Sequence, residues 1–169
     1  MGYHTDFFGS FTLDSPLSIA QKDFLQEFSE TRRMNRDISK IPTLLQKNDK
    51  MLKLLKKVGL GLEYYGGTGD FGQDRDASII DFNTPPAGQP GLWCQWVSSE
   101  DGTEIVWNGA EKFYYYVEWI EFIVKHFLTP WGKVLNGEVE WQGEERDDRG
   151  LIVIKNNTVT TKKAKVTWE

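Results

Sequence analysis

The chain has 169 residues, a formal charge of −5 and an aromatic share of 14%, with seven Trp. That length carries one domain with a sizeable core, and the acidic balance excludes general binding to a nucleic-acid backbone, which needs a basic face. The single cysteine, Cys94, excludes an internal disulfide and a Cys-rich zinc site.

The start MGYHTDF lacks the charged-then-apolar pattern of a signal peptide, and Asp6 breaks the myristoylation pattern behind Gly2. With no run long and apolar enough to span a bilayer, a cytoplasmic protein without membrane contact is expected.

Taken in order, Tyr3 to Leu13 alternates as a strand, with Tyr3, Thr5, Phe7, Phe11 and Leu13 on one face and His4, Asp6, Phe8 and Ser10 on the other. Asp14-Ser15-Pro16 marks a helix start, and Leu17, Ala20, Phe24, Leu25 and Phe28 carry that helix to about Arg33. Thr43 to Val58 is a second amphipathic helix, apolar through Leu44, Met51, Leu52, Leu55 and Val58. Its Lys50, Lys53 and Lys57 form a basic stripe, a candidate docking face for an acidic partner. Glu63 to Gly91 has the composition of a long ordered loop or lid.

Leu92 to Val97 and Thr103 to Trp107 read as a hairpin across Glu100-Asp101-Gly102. Asn108 to Leu128 reads as the central helix, capped by Asn108 and ended by Pro130 and Gly132. It has two apolar stripes: Phe113, Tyr116, Val117, Ile120, Val124 and Phe127 on one side, and Tyr115, Trp119, Phe122 and His126 on the other. Tyr115, Trp119 and Phe122 are therefore a candidate homodimer face.

Gly137 to Gln142, the apolar run Leu151 to Lys155 and the lysine-bearing Thr158 to Val166 are three further strands. The order predicts one α+β domain over residues 1–169, an antiparallel sheet of five to six strands with helices mainly on one face.

Gly67-Thr68-Gly69-Asp70-Phe71-Gly72 matches GxGxxG, but no buried strand precedes it and no helical period follows, so it reads as a turn-rich loop. Asp70, Asp74, Asp76 and Asp81 lack the alternating oxygens and closing Glu of a calcium loop, so neither a metal nor a cofactor is expected. His4 and Asp6 share a strand face and, with Glu140, are the candidate acid–base residues.

Tyr3-His4-Thr5 is similar to the aromatic-His-Thr element of the ADP-ribosyltransferases, which implies an alternative reading as a nucleotide-processing enzyme, or a hydrolase through the acidic residues. The strongest ligand signal is Gln89-Pro90-Gly91-Leu92-Trp93-Cys94-Gln95-Trp96. There Trp93 and Trp96, on opposite strand faces, combine with Gln89 and Gln95, and Arg32, Arg33 and Arg75 are candidate anion contacts.

GYHTDF, TRRMNRD, GQDRDASIIDFNTPPAGQPGLWCQW, EKFYYYVEWIEFI, LTPWG, LNGEVEWQGE and DRGLIVIKNN together resemble a family of small bacterial and phage proteins. The resemblance covers most of the chain outside Ser39 to Leu62. It implies a fold-sized unit and a bacterial or phage source, and it implies no activity.

The expectation is a binding protein rather than an enzyme, taking a small phosphorylated ligand or a protein segment. The alternative is an inhibitor, immunity or anti-defence protein acting by protein–protein contact.

Overall fold

Alternation sets the first strand, β1 (Thr5–Leu13): Thr5, Phe7, Phe11 and Leu13 are buried and Phe8 and Thr12 are exposed. The computed structural model describes residues 2–41, 49–165 and 167–169. The chain gathers into two compact units, Met1–Leu17 with Gln95–Glu169, and Ser18–Cys94.

In the first unit, β1 joins β4 (Trp96–Ser98), β5 (Glu104–Trp107), β6 (Leu135–Gly143), β7 (Arg149–Lys155) and β8 (Thr158–Lys163). The order is β4-β5-β1-β6-β7-β8, antiparallel throughout. The α+β class and the six-stranded antiparallel sheet are as the sequence predicts. Phe7, Phe11, Trp96, Ile105, Val139, Trp141, Ile152 and Ile154 make its buried side. Phe7 takes edge-on contacts with Trp96, Trp107, Phe113 and Tyr116 at 4.9–5.7 Å between centroids.

The central helix is shorter at its start than its pattern suggests. It runs over Tyr116–Ile123 in this unit and continues as a π-turn, Val124–Leu128. Gly109, Lys112 and Tyr115 adopt positive φ, which breaks the preceding turn, and Asn108 accepts from the Ala110 amide instead of capping a helix. Phe113 still reaches the core, 2% exposed. Both stripes are enclosed along most of the helix: Ile120, Val124 and Phe127 on one, Trp119 and Phe122 on the other. Tyr115 is 58% exposed, so of the three residues of the candidate dimer face only Tyr115 stands at the surface.

In the second unit α1 (Ile19–Ser29) begins three residues after the predicted start at Pro16. Ser18 and Gln21 form a reciprocal capping box, the Ser18 hydroxyl accepting from the Gln21 amide at 3.1 Å and the Gln21 side chain from the Ser18 amide at 2.9 Å. That box outcompetes Pro16, and Asp14 accepts from the Val134 amide in the first unit. The helix ends at Ser29, not Arg33.

α2 (Lys50–Val58) is capped by Asp49 and buries Met51, Leu54, Leu55 and Val58. The earlier part of the predicted helix, with Leu44, lies outside the described residues. The predicted strand from Leu92 is also absent before Trp96.

The 63–91 segment is ordered around a two-stranded pair that has no periodic signal, β2 (Asn35–Arg36) with β3 (Ile79–Asp81). Its anchor is Arg36, which donates to Asp76 Oδ2 at 2.9 Å, to Ser78 Oγ at 2.8 Å and to the Gly72 carbonyl. Burial alone would raise the Asp76 carboxyl, but hydrogen bonds from Ser78 and Arg36 outweigh it and hold the group below the usual 3.8.

A depressed carboxylate binds its proton in the unfolded chain first as pH falls, so its stabilisation is complete above about 4 and is lost through the lower folded pKa. Thermal melts between about pH 5 and pH 3 should therefore show the melting temperature of the wild type falling, whereas Asp76→Asn starts lower and falls less. Parallel pH dependence in the two proteins would remove Asp76 from the acid response.

Candidate interaction face

The sheet of the first unit has a second side, and the register arranges its side chains in rows. One row reads Phe8, Glu140, Leu151 and Lys162 across β1, β6, β7 and β8. The next reads Ser10, Glu138, Val153 and Thr160, and on the other flank stand Asp6, Gln142 and Arg149. Phe8, in the middle of the sheet, is 57% exposed. An antiparallel sheet with one solvated side alternates apolar inward and polar outward. Phe8, Leu151 and Val153 break that pattern here, and of these Val153 is buried at 5% exposed while Phe8 stands out.

Charge is divided across the same side. Asp6, Glu104, Glu138 and Glu140 lie on β5, β1 and β6, and Arg149, Lys155 and Lys162 lie on β7 and β8. Glu104 accepts from the Ser10 hydroxyl at 2.9 Å, and Glu140 pairs with Arg149 at 2.8 Å where both are about half exposed. Such an exposed pair contributes roughly 0–1 kcal/mol. Over the start of β7 and the end of β8 lies a groove of about 370 Å³, lined by Glu140, Arg149, Leu151 and residues 162–165 among others.

His4 Nε2 lies 2.8 Å from Asp6 Oδ1, so the predicted pair forms. Glu140 stands one row from Asp6 on the same side, with its carboxylate taken up by Arg149. At that end of the sheet Asp148 accepts from the Tyr3 hydroxyl at 2.7 Å and from Trp141 Nε1 at 3.1 Å. The sequence offers Asp148 only as one of several turn acids, and nothing local distinguishes it.

The predicted ligand residues divide between the units. In the first, Trp96 is 1% exposed and donates to the Tyr116 carbonyl at 2.8 Å, and Gln95 is clamped between Trp107 Nε1 and the Glu111 carbonyl. In the second, Trp93 is half-buried with the exposed ring of Phe71 edge-on at 5.9 Å. Arg32 donates to the Phe82 carbonyl and to Asn83, Gln89 bridges Arg33 and the Glu63 carbonyl, and Arg75 is exposed.

Arg33 is 1% exposed and donates to Thr31, Gln89 and the Tyr64 and Tyr65 carbonyls. Arg32, Arg33, Gln89 and Trp93 thus share a unit, and Gln95 and Trp96 are interior residues of the other. Lys50, Lys53 and Lys57 are exposed on α2, Lys50 pairing with Glu27 at 2.6 Å.

The GxGxxG stretch has Gly67, Gly69 and Gly72 all at positive φ, and a Cβ on Gly72 would collide with the Gly66 carbonyl. A single three-residue turn, Asp70–Gly72, occupies the place where a phosphate-binding motif needs a helix. Among the described residues no helix is long and apolar enough to cross a membrane. Comparisons with protein-family models, with curated proteins and with solved structures found no match to this chain.

Proposed function

We propose that this chain is a non-catalytic binding protein that works by protein–protein contact, through the open side of its six-stranded sheet. The observation that carries this reading is Phe8, 57% exposed in a central strand and flanked on its own face by Asp6, Glu138 and Glu140. An exposed aromatic with a polar surround is the usual anatomy of a binding hot spot. An inhibitor or anti-defence protein of bacterial or phage source is one form of this reading.

The phosphorylated-ligand reading has less behind it, because Arg33 spends its donors inside the second unit and Arg32 on Phe82 and Asn83. The nucleotide-processing reading rests on the His4–Asp6 pair, and its third member, Glu140, is engaged by Arg149.

The test is a photoreactive benzophenone amino acid at position 8, with position 168 as a control because Trp168 is 81% exposed. In bacterial cells, irradiation should yield a discrete protein adduct from position 8 and none of comparable yield from position 168. Equal, diffuse labelling from both positions would sink the reading.

A further inference from the structure

The partner of this face can be named from its own geometry. The inference rests on the reading above and deepens it: we propose that the open side of the sheet docks on the same side of a second copy, with Phe8 of each chain seated in the β7–β8 groove of the other.

The first support is the placement of knob and groove. Phe8 and the groove residues Glu140, Leu151 and Lys162 lie in one row of the register, on strands β1, β6, β7 and β8. A two-fold axis parallel to the strands and between β6 and β7 maps that row onto itself. It exchanges β1 with β8 and β6 with β7, which sets Phe8 over Lys162 and Glu140 over Leu151. Such an isologous contact needs one self-complementary patch, and here the protruding ring and the recess occur on one face. The groove, about 370 Å³, is larger than a phenyl ring. Its lining includes the apolar Leu151 and Ala164, and Arg149 and Lys162 supply cations that favour an aromatic face.

Charge is the second, independent support. The same axis lays β1 and β6, which carry Asp6, Glu138 and Glu140, over β8 and β7 of the other copy, which carry Lys162, Arg149 and Lys155. Residue over residue, Glu138 meets Val153 and Glu140 meets Leu151, and the acids reach the cations one position away, Glu140 beside Lys162. Aligned packing of two sheets face to face, about 10 Å apart, is an established way for sheets to bury such surfaces.

Sedimentation equilibrium of the full chain at low salt should show a monomer–dimer equilibrium in the micromolar range that weakens as salt is added. Phe8→Ala should weaken it about tenfold or more, as truncation of a hot-spot ring does. The double variant Glu138→Lys/Glu140→Lys should be monomeric, as should Lys155→Glu/Lys162→Glu, with melting temperatures near that of the wild type because all four side chains are on the solvent side. Mixed together, the two charge-reversed chains should form a heterodimer. That rescue is the outcome no merely destabilising substitution produces.

A wild type that stays monomeric to millimolar concentration overturns the inference, as does a dimer indifferent to all three variants. Position 8 separates this from the broader reading. An adduct of twice the chain mass supports the second copy. An adduct with a different protein overturns the second copy and leaves protein contact standing, and no adduct removes both.

Discussion

Replacing Trp119 with Glu should leave no folded protein. Trp119 is 0% exposed on the central helix, with the Phe122 ring edge-on at 5.4 Å. Truncating a buried Trp costs about 3–5 kcal/mol through lost burial and the cavity left behind. An unpaired carboxylate in the same place adds a desolvation penalty of several kcal/mol more, or must take up a proton to avoid it. Against a total stability of about 5–15 kcal/mol for a domain, the two together consume the margin.

The neighbouring Tyr115, 58% exposed, gives the contrast: Tyr115→Glu should shift stability by no more than about 0.5 kcal/mol. Far-ultraviolet circular dichroism and denaturant titration of the two variants decide it. A Trp119→Glu chain that is folded and monomeric would mean that the second stripe of the helix is a surface between chains, as Tyr115, Trp119 and Phe122 suggest when read as a pattern alone.

The contrast between those two residues shows what the sequence carries and what it does not. Period-2 alternation in β1 and β6 and the apolar run in β7 are legible because backbone geometry imposes them residue by residue. The same alternation places Phe8 with Asp6 and Ser10 on the polar side, so the candidate contact residue stands out as a misfit in the alternation itself.

Helix starts are less legible. Two strong local signals compete between Asp14 and Gln21, and the reciprocal Ser18–Gln21 box prevails over proline. At Asn108 the cap signal is overridden by left-handed residues at Gly109, Lys112 and Tyr115, which release Phe113 into the core. The β2–β3 pair joins two- and three-residue strands through Arg36 and Ile79, far apart in the chain, and segments that short have no period to read. Charge is legible only in part for a related reason: Arg32 and Arg33 read alike as candidate anion contacts, and whether an arginine has been drawn inside depends on partners that arrive from distant loops.

Arg33 is where drawing a cation inside has the largest energetic consequence, and its substitutions should separate a structural cation from a binding one. The guanidinium lies over the Phe28 ring at 4.0 Å, donates from Nη1 to Thr31 Oγ1 at 2.7 Å and from Nη2 to the Tyr64 carbonyl at 2.7 Å, and reaches Gln89 through Nε. Burial lowers its pKa to about 9, and no carboxylate among the described residues lies within ion-pair distance of it.

Its charge is therefore balanced by carbonyl and hydroxyl dipoles and an aromatic face, all fixed in direction. Arg33→Ala removes every donor at once and opens a cavity, so it should cost about 3–5 kcal/mol. Arg33→Lys keeps the charge but not the planar fork. One ammonium cannot serve Thr31, the Tyr64 carbonyl and Gln89 together, and the loss should be about 2–4 kcal/mol. Arg33→Met fills the space and removes the desolvated charge while leaving the Tyr64 carbonyl unpaired, so it should be the mildest of the three, at about 1–3 kcal/mol. Urea midpoints measure the series. If lysine matches the wild type, Arg33 acts only through its charge, and the anion-contact role first suggested by Arg32 and Arg33 regains its footing.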